Sequence, residues 1–381
     1  MKRIYFDYNA TSPLRPEVYE AMSVYLKSQF GNASSIHEEG RKAKEGVMVA
    51  RESLAQVSGC DPEEIIFTSG GTEANNLALK GAFEYFYPQK KKIIVSEIEH
   101  PSILETCDYL ASRGATLVKL PVTKEGIVDA TLLEASLSDD TLLVSVQYVN
   151  HETGVIQPIQ DMGRLVQSKG ILFHVDAVQA LGKLPMSFSA LPVDLMSVSS
   201  HKISGPKGIG ALILKQGLKL QALVHGGNQE RKRRGGTENV AAIVGFGKAC
   251  DLISEMGGQD QERIEKLRNY FEAKLKSQFP TISIQGESVP RVGNTSNITF
   301  EDITSETLLL NLDLQGVSAS SGAACSSGSL DPSPVLLAMG LSENLALSSV
   351  RFSFGAATCQ NEIDVALKIL SNIVERFRAS V

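Results

Sequence analysis

Between about residues 40 and 215, short apolar runs alternate with stretches whose apolar residues recur every three or four positions. The runs "EEIIFTS", "KKIIVSE", "ATLVKLP", "TLLVSVQYV", "ILFHVDAV", "VDLMSVSS" and "IGALILK" have few polar interruptions. Strands of that kind are buried on both faces, which predicts a mainly parallel sheet covered by helices. Ala74, Leu77, Ala78, Gly81, Ala82 and Tyr85 fall on one helical stripe, and Ala43, Val47, Ala50, Leu54 and Val57 make another. The pattern is an α/β layer fold, in which ligands sit beyond the carboxyl ends of the strands.

After "NVAAIVGFGKACDLISEM" the alternation changes. A charged helix, "DQERIEKLRNYFEAKLKSQF", leads to the shorter strand candidates "TISIQG", "TSNITF" and "VSAS", a helix "SETLLLNLDLQ" and a closing helix "NEIDVALKILSNIVERFRAS". This predicts a large α/β domain over 13–255 and a smaller α+β domain from 1–12 and 256–381, joined by a long helical linker near residue 255. No solenoid repeat is visible.

Composition narrows the function classes. Of 381 residues, 43% are hydrophobic and 21% charged, and 37 Lys and Arg against 43 Asp and Glu give a net charge of −6. That sign argues against a protein that coats nucleic acid or an anionic membrane. No run approaches the roughly 18 apolar residues of a membrane span, and "MKRIYFDYNATSP" lacks a secretory apolar core, so a cytoplasmic location is expected. The five cysteines are odd in number and contain no CxxC pair, and the six histidines show no ligand spacing. Neither a disulfide framework nor a metal centre is expected.

The strongest chemical signal pairs "HVDAVQ" with "SVSSHKISGPKGIG". Asp176 closes one predicted strand and Lys202 follows the end of the next. An acid and a lysine at adjacent strand ends suit a pyridine cofactor, the acid holding the ring nitrogen protonated and the lysine forming a Schiff base. A buried ion pair is the bland alternative for either motif alone. In "FTSGGTEANN" a strand ends, Gly70 and Gly71 turn, and Thr72 opens a helix whose free N–H groups would hold a phosphate. An ordinary glycine turn reads the same way. "GPKGIGAL" lacks the K-[ST] of a nucleotide loop.

His100 and Asn150 stand at strand ends on the same predicted edge, where an imidazole can stack on a flat ring and move protons, although a lone polar residue at a strand end is more often incidental. Arg351 in "SSVRFSFG" is a candidate carboxylate clamp, with a surface strand arginine as the alternative. The basic run "QERKRRGGTEN" is either a solvated loop or a phosphate contact. Cys325 lies in "SASSGAACSSGSLDPSP", a tract that can bury almost nothing, so packing does not explain the thiol; it is either an accident of an exposed loop or a nucleophile that must travel.

Taken together, the motifs resemble the cysteine desulfurases of the NifS/IscS type, pyridoxal-phosphate enzymes of the class-V aminotransferase family. The resemblance runs from "YFDYNATSP" through "SGGTEANN", "SEIEHPSI", "VNHETGVIQPI", "HVDAVQALGKLP", "SSHKISGPKGIG", "GGNQERKRRGGTENV" and "SSGAACSSGS" to "SSVRFSFG". It implies the aspartate aminotransferase-like fold of the pyridoxal-phosphate transferases. It also implies that L-cysteine is converted to L-alanine while the sulfur passes to an enzyme cysteine as a persulfide. Lys202 would be the Schiff-base lysine, Asp176 the partner of the pyridine nitrogen, Gln179 the donor to the ring oxygen and His100 the stacking acid–base. Gly71, Thr72, Ser199 and His201 would hold the phosphate, joined by Thr237 of a second subunit, which makes the protein a homodimer. Asn150 would lie at the cofactor and, with Arg351, bind the substrate carboxylate. Cys325 would take the sulfur and deliver it to an acceptor protein, either an iron–sulfur scaffold or a tRNA-thiolation enzyme. Transamination, selenocysteine lysis and a non-catalytic sulfur carrier are the competing readings.

Overall fold

A computed structural model describes residues 3–301, 303–322 and 331–378. Its largest sheet has seven strands in the order Ile65–Thr68, Gly210–Leu214, Leu195–Ser199, Leu172–Asp176, Thr141–Gln147, Lys92–Ser96 and Thr116–Leu120. Within this sheet only Gly210–Leu214 runs against the others. The apolar runs are buried because successive side chains face opposite layers. Ile94, Val144, Val146, Phe173 and Val175 enter one core, and Ile93, Val95 and Leu143 enter the other.

Helices Glu38–Ser58, Ile159–Ser168 and Val240–Met256 cover the first layer, and Gly71–Phe86 and Pro101–Ser112 cover the second. Both expected stripes are buried along most of their length, although Tyr85 at the end of one is exposed. Helices Glu38–Ser58 and Val240–Met256 cross closely. A Cβ on Gly247 would lie 2.5 Å from the Cα of Ala50, so the crossing requires glycine.

A separate core joins Ile4 and Phe6 to Ile264, Phe271, Ile298, Phe352 and Leu370. Strand Ile4–Tyr5 pairs in parallel with Val317–Ser318, and an antiparallel sheet runs in the order Ser349–Ser353, Thr295–Thr299, Ser283–Ile284. The first residues of the chain therefore pack with its last third. The linker near residue 255 is not one long helix. Helix Val240–Met256 stops at Gly257 and Gly258, with φ of +55° and +86°, before Gln259–Gln278 begins, because two successive left-handed residues break the helical ladder. No helix among the described residues is long and apolar enough to cross a membrane.

Candidate active site

The parallel strands deliver their polar termini to one edge of the large sheet. Asp176 ends Leu172–Asp176, Lys202 closes the single helical turn after Leu195–Ser199, and His100 follows Lys92–Ser96. Gly71 and Thr72 open helix Gly71–Phe86 after Ile65–Thr68. Together with Gln179, Ser199, His201 and Arg351, these residues line one cavity of about 220 Å³. Its outer wall comes from far along the chain: Asn9 and Ala10 from the N-terminal segment, and Gly322 and Arg351 from the second core.

Each side chain is held in place. Asp176 Oδ2 accepts from Asn75 Nδ2 at 2.8 Å and Oδ1 from the backbone N–H of Val178 at 3.0 Å. His100 caps helix Pro101–Ser112: its Nδ1 accepts the backbone N–H of Ser102 at 3.1 Å, so the neutral ring carries its proton on Nε2. Burial lowers the His100 pKa, the Asp176 charge opposes that shift, and Lys202 adds to it. The ring is thus a base at neutral pH. Lys202 Nζ donates to the backbone carbonyls of Asn9 and, at 2.9 Å, Ala10. His201 Nδ1 lies 3.2 Å from Thr11 Oγ1, and burial with the charges of Lys202 and Lys207 pushes its pKa down to about 4.

The donor set fits pyridoxal phosphate. At one end, Ser199 Oγ is buried with no hydrogen-bond partner among the described residues, beside the open N-terminus of a 16-residue helix. A Cβ on Gly71 would meet Val178 Cγ2 at 2.8 Å, so glycine keeps this cradle open. At the other end a carboxylate, an imidazole and a lysine face the place of a planar ring.

Arg351 is 1% exposed. Its Nη2 donates to Asp7 Oδ1 at 2.8 Å, and its Nη1 to the carbonyls of Gly322 at 2.6 Å and His151 at 3.0 Å, while Nε has no partner among the described residues. Asn150 is fully buried outside the cavity lining. Its Oδ1 accepts from the backbone of Glu152 and Thr153 and from Thr153 Oγ1, and its Nδ2 donates to Ile98 O at 3.3 Å. Its amide therefore shapes the turn that carries His151. Thr237 is exposed and lines a neighbouring cleft with Ser69 and Arg234 instead of this cavity. Cys325 lies outside the described residues.

Sequence reading missed several wall residues. Asn75 is 1% exposed on an otherwise apolar helix face, and a polar residue interrupting that stripe was its available signal. His151 stacks edge-on to His100 with ring centroids 5.5 Å apart, and burial lowers its pKa. His174, on the same strand as Asp176, bridges Ser145 Oγ at 2.8 Å and Ser197 Oγ at 3.0 Å and does not line the cavity.

Glu99, next to His100, is buried. Its Oε1 accepts from Ser96 Oγ and from the backbone of Gln147 at 2.8 Å, and its Oε2 has no partner among the described residues. Burial raises its pKa from 4.5 to about 8, with a further push from Asp176. A raised acid contributes stability that is fully present below 4.5 and lost as pH climbs through about 8. Glu99→Gln is therefore expected to flatten the fall in melting temperature between pH 5 and pH 9. Melting curves with equal slopes for both proteins would refute the assignment.

Known proteins match this geometry over the full chain. Residues 4–366 fit the family model "Aminotransferase class-V". A protein named cysteine desulfurase IscS from Dictyoglomus turgidum is 44% identical over 379 residues, covering 99% of this chain and 96% of that protein. A solved NifS-like protein superposes with a TM-score of 0.92 at 37% identity, over 98% of this chain and 100% of its own. SspA, solved in complex with cysteine, superposes with a TM-score of 0.84 at 34% identity, over 93% and 100%. On its sequence, its fold and the contents of its cavity, the chain belongs to the class-V aminotransferase family of pyridoxal-phosphate enzymes.

Proposed function

We propose that the protein is a cysteine desulfurase that converts L-cysteine to L-alanine and loads the released sulfur on Cys325 as a persulfide. The observation that carries this reading is the convergence of Lys202, Asp176, His100 and Arg351 on one cavity. Relatives named cysteine desulfurase and the cysteine-bound SspA supply the substrate. In this reading residues 13–255 form the cofactor-binding domain, and 1–12 with 256–381 the smaller one.

Pyridoxal phosphate, when bound, supplies an electron sink for charge developing at the substrate Cα. Lys202 would hold it covalently and would move a proton at the substrate Cα, and Asp176 would keep the ring nitrogen protonated. Gly71, Thr72, Ser199 and His201 would hold the phosphate, and Gln179 would donate to the ring oxygen. Arg351 binds the substrate carboxylate, on a wall shaped by the Asn150 turn. His100, neutral at its operating pH, takes the proton of the substrate thiol. The Cys325 thiolate attacks the substrate sulfur as that proton leaves it, the C–S bond breaks with its electron pair left on carbon, and the proton held by His100 returns to that carbon to release L-alanine. The products balance: one thiol and one cysteine give one persulfide and one alanine.

Two features support a homodimer. Leu26, Phe30 and Ile36 of the N-terminal region are exposed, Ile36 at 91%, and Thr237 stands outside its own cavity, free to complete a second one. The persulfide sulfur goes on to an acceptor protein for iron–sulfur assembly or tRNA thiolation, in the cytoplasm.

The test mixes holoprotein with L-cysteine and measures alanine and protein-bound persulfide. Equal yields with the persulfide mapped to Cys325 are expected, and Cys325→Ser should keep cofactor binding while losing the persulfide. Full desulfurase turnover by that variant would overturn the reading.

A further inference from the structure

Behind Gln179 lies a second, partly buried lysine. Lys183 Nζ donates to Gln179 Oε1 and, at 3.0 Å, to Asn9 Oδ1. Both acceptors are neutral amides, and among the described residues Lys183 forms no ion pair with a carboxylate. Asn9 joins this amine to the catalytic one. Its backbone carbonyl accepts from Lys202 Nζ and from Gln179 Nε2, the latter at 3.0 Å, while its Oδ1 receives Lys183 and Asn294 Nδ2. A single residue therefore separates the two lysines.

The two ends of a glutamine amide are nearly isosteric, so its partners decide which end faces a cavity. An ammonium has only donors. It fixes Oε1 toward Lys183 and leaves the Nε2 protons for Asn9 and for the cavity. We propose that Lys183 is a positioning residue for the cofactor: it locks Gln179 with its N–H toward the ring oxygen and sets a second positive charge behind Lys202. The proposal rests on the pyridoxal-phosphate reading of the cavity.

This chain's own charges act against an ammonium at Lys183, so its protonation depends on what the cavity holds. Burial, then Lys202 and Arg351, push its pKa well below the usual lysine value, and an anionic cofactor in the cavity would restore the ammonium. On its other side, Tyr8 and the Arg15–Asp260 pair line the adjoining cleft, and Asp260 is shared between Arg15 at 3.2 Å and Arg263 at 3.1 Å. A cation near a second amine makes protonation of that amine harder.

Lys183→Gln, which keeps a donor without the charge, and Lys183→Arg, which keeps the charge, test the proposal on protein reconstituted with pyridoxal phosphate. Two quantities are read: the pH midpoint of the visible band of the lysine-bound cofactor, and the affinity of apoprotein for pyridoxal phosphate. In K183Q the midpoint should rise by about one pH unit, a tenfold gain in proton affinity, and cofactor affinity should fall roughly fivefold or more. In K183R the midpoint should return close to wild type. A K183Q protein with wild-type midpoint and affinity overturns the proposal, as does a K183R shift as large as that of K183Q. If K183Q does not fold, Lys183→Met takes its place with the same expected rise. Wild-type protein that takes up no pyridoxal phosphate would instead sink the reading of the cavity itself.

Discussion

Lys202→Ala is expected to yield a folded protein whose alanine production from L-cysteine is lower by about three orders of magnitude or more, because one change removes a covalent anchor and a proton carrier. The fold should survive. Lys202 Nζ donates to the carbonyls of Asn9 and Ala10, and losing such bonds at a partly exposed site costs on the order of 1 kcal/mol each. Pyridoxal phosphate should still enter the cavity, since the phosphate cradle at Gly71, Thr72 and Ser199 is untouched, but borohydride should fix none of it to the protein. Alanine formation within tenfold of wild type would remove Lys202 from the chemistry.

Arg351→Lys carries the second large effect. A lysine keeps the charge but loses the planar fork that spans Asp7, Gly322 and His151 while presenting an edge to the cavity. If Arg351 binds the substrate carboxylate, the loss of about 2–3 kcal/mol of charge-assisted bonding raises KM for L-cysteine on the order of 100-fold. The value of kcat should stay within roughly tenfold, because the interaction forms in the ground state as well as the transition state. An unchanged KM with a lowered melting temperature would reduce Arg351 to a structural tie between the N-terminal segment and strand Ser349–Ser353.

The fold was legible in the sequence because the inner strands of the large sheet are buried on both faces and read as apolar runs, while the edge strand Thr116–Leu120 keeps Thr116 and Lys119 exposed. The polar residue that ends a run marks the functional edge, and that rule alone places Asp176 and Lys202 at the cavity. It cannot tell where a strand-end side chain points. Asn150 obeys the rule, yet its amide folds back on the Asn-His-Glu-Thr turn, because a short side chain beside free backbone N–H groups bonds locally first. Asn9 carried no local signal, since its partners Asn294 and Thr295 lie nearly 300 residues away. Lys183 carried no local signal either, because its two amide partners are a tertiary fact. Thr237, expected at the phosphate, lies instead in a neighbouring cleft with Ser69 and Arg234.

The Asn9 junction also governs when the enzyme comes into being during synthesis. Asn9 leaves the ribosome early, yet it bonds Ser353 Oγ and Thr295 Oγ1, and the neighbouring Asp7 waits for Arg351. At about 5–20 residues per second, the interval between residues 9 and 353 is roughly 17–70 s. The seven-stranded sheet can fold in that time, complete by residue 214, and the cofactor edge then stands without its outer wall. A chain that ended before Arg351 and Ser353 would carry Lys202 without the wall those residues close against Asp7 and Asn9.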